Sequence, residues 1–319
     1  MQIKKAIPFS KLRWPMYIFS IVLIVAVWVG TLLQGGFNLG IDFKPGLSET
    51  VKINNPEVTV STLREALKLS DYIFSIQPVG TKGDQTFLLR AVAHNDQSQV
   101  ANLQAVLATA AKNAIEKRFG TGSVDVLSSD FIGPSLSNEI VLQTFWLTLA
   151  AVIVILLYIW FRFKFAYAVA AIIALIHDPI FIVGLIGTLQ MEVSTATIAV
   201  VLTIIGYSLN DTIVVFDRIR ENIRLQKTSN MFDLIDLSIT QTLSRTLVSS
   251  LTVLISAASL WFFTTGQIHD FAFALIVGVV IGTYSSIFIA APLMVSISGG
   301  KPPVEKEKKA LPPEEGLEA

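Results

Sequence analysis

Apolar positions are distributed along this chain in two patterns. In six stretches, 14–33, 141–161, 165–189, 193–216, 247–263 and 271–297, they run almost unbroken for about 20 residues, the length a helix needs to cross a bilayer. Between the first two stretches, residues 35–138 show apolar positions at strand or helix period separated by turn signals, enough chain for one compact water-soluble domain. The first stretch runs into "TLLQGGFNLG" rather than a small-residue cleavage site, which predicts a retained anchor and not a cleaved signal.

Within 35–138, "ETVKIN" predicts a strand and "STLREALKL" a short helix, with Ser61 or Thr62 as N-cap and Leu63, Ala66 and Leu67 on one face. "YIFSIQPV" and "TFLLRAVA" flank the turn signal "GTKGD" and predict a hairpin. Val100, Leu103, Val106, Leu107 and Ala110 recur at helical spacing, Gly120 stands where a C-cap belongs, and "SVDVLS" predicts a final strand. Strand, helix, two strands, helix, strand is the order of the ferredoxin-like split unit. The expected architecture is therefore an α-helical bundle of six transmembrane helices, 14–34 and 139–298, with an inserted α+β ferredoxin-like domain.

Composition points the same way, since 52% of the residues are hydrophobic and 15% charged, against roughly a quarter charged in soluble domains. A net charge of zero with basic residues in scattered groups excludes the basic face that nucleic acid requires. The absence of cysteine excludes disulfides, thiolate metal sites and thiol nucleophiles. Neither GxxxxGK[ST] nor HExxH occurs, so no nucleotide-driven engine or zincin is encoded, and no enzyme activity, cofactor or metal is expected.

Lys and Arg in the short connections set the orientation. Lys4, Lys5, Lys11 and Arg13 precede the first stretch, Arg162 and Lys164 separate the second and third, and Arg218, Arg220, Arg224 and Lys227 follow the fourth. Lys301, Lys306, Lys308 and Lys309 follow the sixth, whereas "QMEV" and "TTGQIHD" contain none. This places both termini, 1–13 and a Pro-rich charged tail at 299–319 expected to be disordered, in the cytoplasm, and 35–138 outside.

The ionisable residues within the apolar stretches are few: His177 and Asp178 in the third, Asp211 near the end of the fourth and Arg245 at the start of the fifth. A charge at the centre of a span costs about 2.5–3.5 kcal/mol on insertion scales, so such residues face protein or water and mark ion pathways. Asp211 stands six residues before Asp217, about 9 Å from the polar end of its span, and Arg245 precedes the apolar run beginning at Leu247, so the two fall at similar depth. Asp can shed its proton and Arg cannot, which makes Asp211 the titrating partner and Arg245 the fixed charge. Asp178, thirteen residues along from Phe165 and about 20 Å in, is a second station, and Pro179 frees a carbonyl one turn back.

Blander readings stand beside these. Arg245 is also placed to snorkel to the interface, His177 with Asp178 to form a satisfied polar pair, and Asp211 to bond helix neighbours. Gly278, Gly282, Ser285 and Ser286 form a small-residue face suited to helix packing, and "DRIREN" reads as a topology anchor. His94 and His269 are lone residues to which no role is assigned.

Several of these segments resemble one family. "FNLGIDFKPG" resembles the GIDFxGG signature of the SecD and SecF proteins, and "GYSLNDTIVVFDRIREN" looks like a SecF segment, as do "LIHDPIFIVG", "FIGPSLSNEI" and "SRTLVSSLTVL". Pro45 departs from the signature, standing where its final pair begins with glycine. The resemblance implies a multi-pass subunit of the bacterial inner membrane, partnered with SecD beside a SecY-containing translocon. It implies membership of the resistance-nodulation-division superfamily, whose members use protons to move large external domains, with Asp211 and Arg245 at the positions thought to handle them. Six spans would then be half of a twelve-span assembly, SecD supplying the other half.

The expected function is promotion of preprotein export by the proton motive force, with protonation of Asp211 loosening its attraction to Arg245 and letting the fourth and fifth spans repack. The external domain would grip or release the emerging chain. The alternatives are a small-molecule exporter subunit of the same superfamily and a purely structural scaffold. Sodium coupling stays open, because Ser208, Asn210 and Thr212 flank Asp211 with oxygen ligands.

Overall fold

A computed structural model describes residues 6–302 apart from 41, 45, 69–71, 73, 80–83, 93–102, 133 and 226–229. The expectations for Lys4, Lys5, Pro45, the hairpin turn, His94, Val100, Lys227 and the tail lysines 306, 308 and 309 lie outside the described residues, as does most of the tail.

Among the described residues, six helices are long and apolar enough to cross a membrane: Phe9–Leu33, Asn138–Arg162, Phe165–Thr188, Thr195–Leu225, Met231–Phe263 and Gln267–Ile297. We name them α1 (Arg13–Leu33, entered through the 3-10 turn Phe9–Leu12), α4 (Pro134–Arg162), α5 (Phe165–Thr188), α6 (Thr195–Leu225), α7 (Met231–Phe263) and α8 (Gln267–Ser285). The last is continued by a π-helical turn, Ser286–Ala290, and α9 (Ala291–Ile297).

Two helices outrun their apolar stretches by nine residues or more. Residues 217–225 continue α6, so "DRIREN" is helix rather than a bare boundary: Asn222 is buried and donates to Ser238 and Gln241 of α7 at 2.8 Å. Likewise α7 begins at Met231, sixteen residues before Leu247, because Met231, Leu234, Ile235 and Ile239 bury a helical stripe that a search for unbroken apolar runs passes over. Arg162 reaches Asp217 at 3.1 Å, tying the ends of α4 and α6, and Arg220, one turn along α6, stands 3.7 Å from the same carboxylate.

The bundle closes tightly where side chains are small. Between α1 and α5, Thr31 Oγ1 donates to the Gly184 carbonyl at 2.8 Å and Thr188 Oγ1 to the Val27 carbonyl, while Gly30 and Gly187 leave no room for a Cβ beside those threonines. Such close approach is the ordinary way that membrane helices associate without a hydrophobic drive between them. Pro179 is accommodated inside a continuous α5.

Residues 38–132 carry β1 (Asn38–Leu39), β2 (Gly46–Ile53), α2 (Val60–Leu67), β3 (Phe74–Val79), β4 (Thr86–Val92), α3 (Leu103–Phe119) and β5 (Val124–Ile132). The four longer strands form an antiparallel sheet in the order β3-β4-β2-β5, covered on one face by α2 and α3. Its core joins Val51, Ile53, Leu63, Leu89 and Ile115, each no more than 1% exposed, which is what the alternation of the strands and the spacing of the helices require. The N-cap of α2 is Thr59, not Ser61 or Thr62: Thr59 is extended, accepts from the Thr62 N–H, and is answered by the Thr62 hydroxyl, a reciprocal box that starts the helix earlier. Gly120 ends α3 at φ +101°, where a Cβ would be strained.

A second sheet is minimal. β1 pairs in parallel with β6 (Glu192–Val193), in the link between α5 and α6, so the chain leaving α1 is sewn to the start of α6 before it enters the β-domain.

Candidate functional site

The polar centre of the bundle is built by α5, α6, α7 and α8. Asp178 of α5 is completely buried. Its Oδ2 accepts from Ser285 of α8 at 2.8 Å and from Ser208 of α6, while Oδ1 lies 2.8 Å from His177 Nδ1. Asp211, 7% exposed, lies three residues after Ser208, one turn along α6. Its Oδ2 accepts from Ser250 of α7 at 3.4 Å and Thr283 of α8 at 3.3 Å, and those hydroxyls lie 2.8 Å from each other.

The two carboxylates thus share helices α6 and α8. Ser208 and Asp211 point to successive levels on α6; Thr283 and Ser285, about 200° apart around α8, serve Asp211 and Asp178 respectively. Gly282 lets α8 approach Ser208, and Gly278 lets it approach Ile204, so the small-residue face is indeed a packing face. Ser285, read from sequence as part of that packing alone, also binds Asp178. The π-helical turn begins at the next residue, and such turns recur at functional sites because they redirect side chains.

Arg245 is exposed on α7, and Asp211 is not in direct ion contact with it among the described residues; the guanidinium lies within electrostatic reach of the carboxylate instead. The oxygen neighbours expected from sequence also change. Among the described residues neither Asn210 nor Thr212 bonds Asp211, since residues adjacent on a helix point about 100° apart, and hydroxyls from α7 and α8 take their place. His269 sits in the first turn of α8, 3.4 Å from Asp270. Within the described residues no group of three or more His, Cys, Asp or Glu is disposed to hold a metal.

Residues 111–299 match the family model described as "Protein export membrane protein SecD/SecF, C-terminal". The protein translocase subunit SecF of Borreliella burgdorferi is 34% identical over 92% of this chain and 98% of its own length, and that of Haemophilus influenzae 33% identical over 95% and 91%. The chain belongs to the SecF family. Among solved structures, SecDF from Thermus thermophilus, described as a translocon-associated membrane protein, superposes with a TM-score of 0.77 at 31% identity. SecDF in its super-membrane-facing form gives 0.64. This chain is covered to 94% in both but spans only 40% of either SecDF chain.

Membership of the SecF family leaves several of these groups unread from sequence. Ser250 and Thr283 were missed because single hydroxyls in apolar helices carry no signal until the neighbouring helix is known. Asp236 was missed because the start of α7 was. Its carboxylate accepts from the Ser10 N–H at 2.7 Å and hydroxyl at 2.8 Å, fastening the 3-10 turn to α7. Arg90 and Glu192, a buried ion pair between β4 and β6, were likewise unforeseen.

Proposed function

We propose that this chain is an accessory subunit of the Sec export machinery that works with SecD, beside a SecY-containing translocon, to turn the proton motive force into movement of exported chains. The observation that carries the reading is a titratable carboxylate, Asp211, held inside a membrane helix bundle by hydroxyls on two other helices, with an arginine in electrostatic reach. An ionised carboxylate only accepts hydrogen bonds, whereas a protonated one also donates. A proton arriving at Asp211 therefore forces Ser250 and Thr283 to turn, weakens the pull of Arg245, and favours a different packing of α6 against α7 and α8. Asp178, one turn along the same interface, is a second station. Moving one charge across the membrane supplies about 2.3 kcal/mol per 100 mV, enough to bias a two-state element several-fold.

In this reading the β-domain is ferredoxin-like and faces the periplasm, with both termini in the cytoplasm of a bacterial inner membrane. Its strand order and the distribution of Lys and Arg support that. The alternative, a small-molecule exporter subunit, would need a substrate cleft in an external portion larger than residues 35–138.

The test is Asp211→Asn in vesicles carrying the complete export complex. The complex should still assemble, and stimulation of export by an imposed proton gradient should disappear. Full stimulation in that variant overturns the reading, and stimulation by a sodium gradient alone reassigns the ion.

A further inference from the structure

Arg90 of β4 and Glu192 of β6 are 7% and 8% exposed and form an ion pair that joins the β-domain to the membrane helices. Gln77 of β3 adds a second bond, its Nε2 donating to Glu192 Oε2 at 3.2 Å. Glu192 stands three residues before Thr195, the first residue of α6.

The same short stretch is held twice more. The Gly40 N–H donates to the Val193 carbonyl at 2.9 Å, and a Cβ on Gly40 would collide with the Glu192 carboxylate. Asp42 Oδ2 accepts from the Thr195 N–H and hydroxyl, each at 2.9 Å, placing a negative charge at the N-terminus of α6, where the helix dipole favours it. Gly40, Asp42, Glu192 and Arg90 thus form one clasp around the start of the helix that carries Asp211, about 24 Å further along.

Arg90 faces more negative charge than Glu192 supplies. Burial draws its guanidinium below its ordinary pKa, while Asp42 and Asp270 pull the other way. Separating a buried pair of this kind leaves both charges desolvated and uncompensated, so motions that keep it intact cost less than motions that open it.

We propose that Arg90 and Glu192 form a permanent joint that makes the β-domain follow displacements of α6, transmitting the change at Asp211 to the domain outside the bundle. The proposal rests on the proton-driven reading above, and it assigns the coupling to a contact between the domain and the α5–α6 link rather than to the two chain crossings alone.

The experiment uses the full export complex with Glu192→Gln, which keeps the shape and hydrogen bonding of the side chain but removes its charge. Spin labels are placed on the otherwise cysteine-free chain at Lys112→Cys in α3 and Leu189→Cys at the end of α5, both exposed positions. With Glu192 present, the distance distribution between labels should be narrow. With Gln it should broaden, and gradient-stimulated export should fall at least about five-fold while the complex still co-purifies, in keeping with a coupling energy of ordinary size. Retention of full stimulation by Glu192→Gln, or an unchanged distance distribution, overturns the joint. Should Asp211→Asn keep its stimulation, the proton reading fails on its own account, and the label distances still decide whether the joint exists.

Discussion

Asp211 and Glu192 lie nineteen residues apart along one stretch of chain, and both are buried, but the fold satisfies them by different means. Glu192 has an arginine in direct contact. Asp211 has two hydroxyls at long hydrogen-bond distance, and its arginine stands off. A direct ion pair locks both charge states, because losing either charge strands the other. A cradle of hydroxyls tolerates either state, since each hydroxyl both donates and accepts. On the proposed reading the membrane carboxylates change protonation while the junction holds, the division expected of a machine that converts protonation into the displacement of a rigid part.

That contrast can be broken most sharply at the junction. Arg90→Met should destabilise the protein by about 3–5 kcal/mol, whereas Arg90→Met with Glu192→Leu should recover most of the loss, because the cost lies in the orphaned charge rather than in the pair itself. Thermal unfolding in detergent compares the two proteins, and equal midpoints would erase the distinction drawn here. Next in size are the hydroxyls: Ser250→Ala or Ser285→Ala should each cost about 0.5–2 kcal/mol, the range for interhelical hydrogen bonds in membranes. A loss as large as that of Arg90→Met would mean that the cradles are as rigid as the joint.

The smallest effect belongs to Glu49 of β2, another buried carboxylate, whose Oε1 accepts from Ser129 at 3.0 Å. Burial raises its pKa above the ordinary carboxylate value, and the Ser129 bond only partly opposes that. A folded-state pKa above the unfolded one means that the folded protein binds the proton more tightly. The contribution to stability is present below the ordinary carboxylate pKa and is lost as pH rises through the raised value. Glu49→Gln should remove that dependence and leave the protein slightly more stable at neutral pH, by about 1 kcal/mol or less. Unfolding midpoints measured between pH 4 and pH 8 check the sign.

How much of this was legible beforehand follows from the range of the forces concerned. Spans, strands and the glycine C-cap at Gly120 rest on contacts within a few residues, and they appear where the pattern put them, with end errors where an amphipathic stripe extended a helix, as at Met231 and after Asp217. Thr59 shows the same limit at smaller scale, since capping depends on which of three nearby hydroxyls adopts the extended backbone. Asp178, Asp211 and Arg245 were visible because charge in an apolar run is conspicuous. Their partners were not, because Ser208, Ser250, Thr283 and Ser285 look like any hydroxyls in membrane helices.

The sequence by itself determined which segments are long and apolar enough to cross a membrane, which form the β-domain and which acids are stranded in apolar surroundings, because hydrophobic transfer and helix periodicity act residue by residue. Only the tertiary structure decided that Asp178 and Asp211 share α6 and α8, that Arg245 stands away from Asp211, and that Arg90 meets Glu192 across the junction. Those are contacts between residues up to about a hundred positions apart. They depend on the rotation and depth at which helices pack, and small side chains such as Gly278 and Gly282 set that by permitting close approach without marking what they approach.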